Sequence, residues 1–311
     1  MKLMQIAQGI LTYLPGMKDF RAKGTGGTDS GRYCYSVWLR HLVMANNAKL
    51  NTDPKVIAEL GPGDSLGTGL AALISGAEKY YAFDVVKHSN TVRNLNVFEE
   101  IVSLFKAKED IPGADEFPKL KPFLQSYDFP SHFLSEERLK LALADERIEK
   151  IRSALLNIDR KKSIIDYKVP WFDSKMINEE SVDMIFSQAV LEHVDDLSNT
   201  YQAMHRWLKK NGYISHEIDF KCHGMACEWN GHWIYSDFVW KIIRGKRPFL
   251  LNREPHSTHL NLLSREGFAV LCDKKIKSES CINRDKLPHR FKDISDDDLT
   301  TSAAFIQASK L

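Results

Sequence analysis

The sequence predicts an α/β fold: a doubly wound, mostly parallel sheet with helices on both faces and a helical cap inserted into it. Three observations predict this. β-rich runs alternate with helix-period segments from about residue 55 onward. A glycine turn, Glu59-Leu60-Gly61-Pro62-Gly63-Asp64-Ser65, stands where the first run ends and a helix begins. The next run ends in an acid, Asp84, twenty-one residues beyond Gly63.

Each element has its own signal. Residues 1–50 look mainly helical after a glycine-rich opening, and form an N-terminal segment expected to contribute to a substrate site. Lys55 to Leu60 is the first strand, Gly61 to Gly67 a loop, Thr68 to Ser75 a helix and Lys79 to Val85 the second strand. Residues 91–160 exceed the 2–6 residue connections usual in such units. Their helix-like stretches, Val97–Lys106 and Glu136–Ile158, flank a hinge with Pro112, Pro118, Pro122 and Pro130, so they are expected as a cap over the strand ends. Ser163–Tyr167, Val182–Ser187 and Tyr213–Ile218 read as further strands. Between the last two, Leu197, Tyr201, Met204 and Leu208 recur at helical spacing, with Asp195 and Asp196 at the start, Lys209 and Lys210 at the end and Gly212 as stop. Phe268–Cys272 and Ala303–Ile306 close the sheet. Residues 51–90 and 161–311 thus make one ligand-binding unit interrupted by the insertion.

Composition bounds the function. The chain has 311 residues, 43 basic against 41 acidic, for a formal charge of +2, so bulk charge implies no nucleic-acid binding. No apolar run is long enough to span a bilayer, and Met1 to Pro15 carries no small-residue cleavage site, so a cytoplasmic protein without membrane insertion is expected. Five cysteines (34, 222, 227, 272 and 281) are an odd, scattered set and read as reduced thiols. Cys222-His223 with Cys227 lacks a matching second pair for zinc, and no metal is expected there.

The turn carries the cofactor argument. Gly61 and Gly63 let a ligand approach the backbone, the following helix is expected to present free N–H groups, and Asp84 is spaced to accept both hydroxyls of a ribose. A dinucleotide fingerprint needs a small residue at position 66, where Leu66 stands. Glu59 places a carboxylate beside the ligand, which repels a pyrophosphate and suits the ammonium and sulfonium of S-adenosylmethionine (SAM).

With these residues the chain resembles the class I SAM-dependent methyltransferases, whose first motif is an acid followed by G-x-G-x-G; Ser65 replaces the third glycine. Ser181–Asp196 (SVDMIFSQAVLEHVDD) is similar to the family's fourth-strand segment ending in LEHV. The resemblance spans residues 55 to 310. It implies a Rossmann-like sheet of seven strands, the last antiparallel. It also implies a site in which Glu59, Gly61, Gly63, Ser65 and Asp84 bind SAM, Ser187, Gln188 and Ala189 line the methionine side, and Trp171 stacks on adenine.

Methyl transfer from a sulfonium is an in-line displacement, and a hydroxyl acceptor also calls for a general base. His216 and Asp219, in SHEIDFKCH at the end of the fifth strand, are the leading candidates, with His193 of LEHV a third. O-methyltransferases of quinone biosynthesis resemble the chain in Glu192-His193 and can use a divalent metal with an acid one helical turn earlier; Ala189 occupies that position, so no metal is expected. Arg32, Tyr33, His223, His232 and Trp233 supply hydrogen bonders and aromatic faces for a polar acceptor, and Arg32 or Arg40 suits a carboxylate. SHEIDF, NGHWIYSD and RPFLLNREPHSTHLNLL together look like bacterial methyltransferases found beside polysaccharide genes. The expectation is therefore O-methylation of a polar small molecule or glycan. The alternatives are an NAD-dependent oxidoreductase or epimerase, which lacks its Tyr-x-x-x-Lys pair here, and a catalytically silent SAM-binding scaffold.

Overall fold

A computed structural model describes residues 2–14, 27–160, 163–171, 174–247 and 249–311. Gly24 to Gly26 of the glycine-rich opening lie outside them. In chain order the elements are α1 (Lys2–Leu11), α2 (Gly31–Asn47), β1 (Val56–Leu60), α3 (Gly67–Ile74), β2 (Lys79–Phe83), α4 (Thr91–Ala107), α5 (Glu136–Ala142), α6 (Asp145–Leu156), β3 (Ile165–Lys168), β4 (Val182–Gln188), α7 (Leu197–Trp207), β5 (Leu208–Asp219), α8 (Asp237–Arg244), α9 (His256–Arg265), β6 (Phe268–Lys277), α10 (Asp296–Thr300) and β7 (Thr301–Lys310). Side-chain oxygens of Ser30, Asn90, Ser135, Asp196 and Ser236 accept from backbone amides three residues on, which is what starts α2, α4, α5, α7 and α8 where they start.

The seven strands form one sheet in the order β3-β2-β1-β4-β5-β7-β6. β1 to β5 pair in parallel, and β7 runs antiparallel to both β5 and β6. The order reverses at β1 and β4, so a crevice opens at their carboxyl ends. Alternation along the strands divides the core. Ile57, Tyr80, Met184, Phe186 and Tyr213 face one layer with α2, α3, α4 and α6. Ala58, Phe83, Ile185, Ile214 and Ile306 face the other with α7 and α9.

Residues 91–160 differ from the cap expected of them. Ile101, Phe105, Leu139, Ile148 and Ile151 are buried in the same core as α2 and α3, so the three helices complete one face of the sheet. The first turn of α4, through Arg93 and Asn94, and the irregular stretch between α4 and α5, through Lys121, approach the strand ends. The irregular stretch is fastened by Arg40 of α2, whose buried guanidinium donates to the carbonyls of Pro112 (2.9 Å), Leu120 (3.1 Å) and Pro122 (2.7 Å). Arg40 is thus a structural clamp and has no donor left facing an acceptor carboxylate. α7 also ends earlier than its hydrophobic spacing suggests, because Leu208 already has extended backbone (φ −68°, ψ 134°) and opens β5. Among the described residues no helix is long and apolar enough to cross a membrane.

Candidate active site

A cavity of about 810 Å³ opens at the switch between β1 and β4. Glu59 and Asp84 both line it, together with Gly61, Gly63, Trp171, Gln188, Ala189 and His193. Gly61 and Gly63 have φ of +63° and +76°, the left-handed region that glycine enters without strain. A Cβ at Gly61 would lie 2.6 Å from Cγ2 of Val190, so the turn is closed by β4's continuation and only hydrogen fits.

Glu59 is buried and accepts the hydroxyl proton of Tyr80. Burial pushes its carboxyl up to about 8, against the opposing pull of Tyr80, the Gly69 amide and the Thr68 hydroxyl. Gly69 is itself required by this arrangement, since a Cβ there would fall 2.0 Å from Cζ of Tyr80. Asp84 accepts from the amides of Val85 (2.7 Å) and Val86 (3.5 Å), and burial raises its carboxyl above the usual range.

The amides expected to be free at the start of α3 are occupied. Thr28 Oγ1 accepts from Asp64 N (2.9 Å), Asn94 Oδ1 from Leu66 N (2.9 Å), and Ser65 Oγ from Gly67 N (3.0 Å). Ser65 therefore caps the turn from outside the cavity lining, while its hydroxyl donates to the Thr28 carbonyl. The cavity wall here is the glycine turn and the two carboxylates rather than a row of open amides.

On the β4 side, Ala189 takes φ +53°, a conformation costly for a residue with a Cβ, and is held by its amide on the Glu217 carbonyl (3.0 Å). Gln188 donates to the Lys121 carbonyl (3.2 Å) and to Glu217 Oε2 (3.3 Å). Ser187 points into the sheet layer instead, pairing with Nδ1 of His216 at 2.8 Å, and does not line the cavity. Trp171 lines it with its ring packed on Phe83 and Trp207 (centroids 5.8 and 5.7 Å).

The candidate bases separate sharply. His216 is fully buried on the face of β5 turned to α9, and burial with neighbouring His41 and His259 lowers it to about 3. It cannot reach an acceptor. Asp219 is engaged by Lys221 Nζ (3.1 Å) and His223 Nε2 (3.5 Å); burial raises its carboxyl, but these partners outweigh that and hold it below the usual range. His193 lines the cavity. The Phe249 carbonyl, 2.7 Å from its Nδ1, accepts the proton there and leaves the Nε2 lone pair available. Burial and the nearby His223, 5.2 Å away between ring centroids, lower it to about 4, so the ring is neutral near pH 7.

Of the expected acceptor contacts, Tyr33 alone lines this cavity. Arg32 forks onto Glu116 at the surface (2.8 and 2.7 Å). His232 and Trp233 are buried in a neighbouring layer, the latter donating to the Arg253 carbonyl (3.0 Å). Glu192, weighed in the sequence only as half of a metal-binding pair, was given no place in the site. It is buried, neither carboxyl oxygen has a hydrogen-bond partner, and burial with Glu217 and Asp219 nearby raises it far above the usual range. Thr28, Tyr80 and Phe249 were passed over; Phe249 acts through its carbonyl, which no sequence pattern marks. Among the described residues no group of three or more His, Cys, Asp or Glu could hold a metal ion.

A parallel sheet that ends in an antiparallel strand, with a glycine turn between two cavity-facing carboxylates, is a frame for binding a nucleoside. Residues 140–215, about a quarter of the chain, match the family model described as Methyltransferase domain. Over that stretch, which spans β3, β4 and α7, the chain is similar to a methyltransferase domain. No curated protein matches it. Solved structures similar to it include an S-adenosylmethionine dependent methyltransferase from Mesorhizobium loti, 13% identical with a TM-score of 0.41, covering 87% of this chain and 98% of that one. A SAM-dependent methyltransferase from Methanosarcina mazei is 14% identical with a TM-score of 0.44, covering 86% and 97%. The Haemonchus contortus Phospholethanolamine N-methyltransferase 2, in complex with phosphomonomethylethanolamine and S-adenosylhomocysteine, is 14% identical with a TM-score of 0.43, covering 92% of this chain and 59% of its own.

Proposed function

We propose that the enzyme transfers a methyl group from SAM to a hydroxyl of a polar small molecule or glycan, with His193 as the general base. The observation that carries the reading is that His193 lines the cavity with its Nδ1 2.7 Å from the Phe249 carbonyl, which can only accept, so the ring's free lone pair belongs to Nε2. In this reading Asp84 holds the ribose hydroxyls, Glu59 faces the methionine ammonium, Gly61 and Gly63 admit the ligand to the backbone, and Gln188 and Ala189 flank the methionine. Trp171 offers its face to the adenine, and Tyr33 borders the acceptor side.

SAM supplies an electrophilic methyl carbon. The chain's contribution is to hold the acceptor oxygen in line behind it and to receive its proton as the O–CH₃ bond forms and the C–S bond breaks. A neutral imidazole receives that proton; the sulfonium leaves as the neutral thioether.

Isothermal titration with SAM, S-adenosylhomocysteine and NAD tests the cofactor half of the reading. SAM and S-adenosylhomocysteine bind, and NAD gives no heat. Asp84→Ala weakens SAM about 10- to 100-fold, as the loss of hydrogen bonds to a charged group implies. Methyl-³H transfer to a panel of sugars, phenols and amines tests the acceptor half: label in an amine-only product would replace the hydroxyl acceptor.

A further inference from the structure

The first helix is built inside out. From Leu3 to Leu14 the chain (LMQIAQGILTYL) contains no charged residue. Its inward face is narrow: Gln5 is buried and donates to the Gly224 carbonyl at 3.1 Å, Ile6 packs against the cluster around Trp240, and Gly9 is buried against the backbone of Ile242 and Ile243. The positions that face solvent are apolar, with Leu3 82% exposed, Met4 and Ile10 54% each, and Leu14 52%. A helix resting on a protein normally shows the opposite arrangement.

α8 extends this face. Gly9 meets Ile242 and Ile243, and Thr12 accepts from Lys246 N at 2.8 Å, so the two helices run side by side in the same direction. That register sets Phe238, 73% exposed at the start of α8, beside the first turns of α1. Two helices packed together thus both expose large apolar side chains, the kind of patch that marks an interaction surface.

The charges around the patch are of one sign. Lys241 and Lys246 are exposed and make no ion pair among the described residues, and Lys246 lies 5.2 Å over the Tyr13 ring. The carboxylates of the neighbourhood are engaged: Asp237 with Arg253 and Arg290, Asp195 with Arg244, and Glu254 with Arg290.

From this patch and its basic rim we infer that α1 and α8 form a docking surface for anionic membranes. α1 would lie in the plane of the headgroups, with Leu3, Ile10, Leu14 and Phe238 reaching the acyl boundary and the lysines among acidic headgroups. Phe249, five residues beyond the end of α8, lines the catalytic cavity, so the docked face is near the site along the chain. Docking is independent of the acceptor assigned above.

Co-sedimentation of the full chain with vesicles of 3:1 phosphatidylcholine and phosphatidylglycerol, against vesicles of phosphatidylcholine alone, tests the inference. Binding to the mixed vesicles is expected. It falls at least tenfold in Leu3→Glu/Ile10→Glu and roughly thirtyfold in Lys241→Ala/Lys246→Ala. Both variants keep the wild-type SAM affinity and thermal midpoint. Three results would overturn it. The wild type fails to bind the mixed vesicles. It forms a dimer that Leu3→Glu/Ile10→Glu dissociates, which makes the occupant a second copy. Or that variant loses many degrees in Tm, which means the chain's own segment covers the face.

Discussion

The Phe249 carbonyl oxygen stands 2.7 Å from Nδ1 of His193, and that single contact fixes which ring nitrogen of this cavity-lining residue keeps its lone pair. Phe249 has φ +61°, so the carbonyl is aimed by an unusual backbone turn and not by the chemistry of a side chain. His193→Ala should lower kcat by 10²- to 10⁴-fold while leaving the SAM Kd within about twofold. His193→Gln should not restore the rate, because an amide is no base. Since the ring sits at about 4, it remains in its basic form above pH 5, and its acid limb in kcat should appear only below that. An unchanged kcat in His193→Ala would leave the acceptor activated by its own low pKa.

Glu59 supplies a second pH dependence with a different readout. Its carboxyl is held at about 8 chiefly by burial, so the free enzyme near pH 7 carries a proton there. A cationic ligand favours the carboxylate, so binding expels that proton and affinity weakens as pH falls from about 8, by up to tenfold per unit. Titration of S-adenosylhomocysteine at pH 6, 7 and 8, in buffers of different ionisation enthalpy, reads the proton release directly. Glu59→Gln should remove this component and leave only the ligand's own titration. Equal proton release in both proteins would take Glu59 out of contact with the ammonium.

The steric case for the turn can be tested apart from chemistry. Gly61→Ala combines a left-handed φ with a Cβ 2.6 Å from Val190 Cγ2, and should cost about 1–3 kcal/mol of stability along with most SAM binding. Adding Val190→Ala relieves the clash but not the backbone conformation, so the double variant should regain part of the Tm lost and little of the affinity. Full recovery of both would mean that only the clash mattered.

Much of the cofactor half of this site was legible because it is local. Glu59, Gly61 and Gly63 are consecutive with the end of β1, Asp84 ends the adjacent strand, and strand pairing alone brings them to one cavity. The acceptor half was not. His216 and Asp219 stand close together in the sequence, but strand alternation turns His216 to the α9 face and Asp219 to the opposite one, a possibility visible in the period-two pattern but not decidable from it. Arg40 looked like a carboxylate's partner because a guanidinium offers a bidentate fork; the three carbonyls that satisfy it instead lie 72 to 82 residues away. Residues 91–160 read as a separate cap because their length broke the unit's rhythm, although their apolar faces belong to the main core. Distance in sequence, more than chemistry, set what could be read.

The buried histidines make acid stability the last test. His41, His216, His232 and His259 are all pushed to about 3, with burial the largest cause in each. Each ring keeps one nitrogen without a partner, so none can be protonated in place at low cost. In the unfolded chain the same groups titrate near 6.5, above their folded values. Their depressed folded pKa means that the unfolded state takes up protons first. The stability associated with the neutral rings is present above about pH 6.5 and is lost progressively as pH falls from there toward 3. Each ring contributes a slope of about 1.4 kcal/mol per pH unit inside that window, and four together about 5 kcal/mol per unit at most. Against a typical folding free energy of about 5–15 kcal/mol, this predicts unfolding between roughly pH 4 and 5.5. Urea titrations at pH 7, 6 and 5 should show the free energy falling steeply, and His259→Gln, which keeps a partner for Tyr201, should reduce the slope by about one proton. A wild-type free energy that stays level from pH 7 to 5 would mean that these rings are reached by water and charge within the folded state.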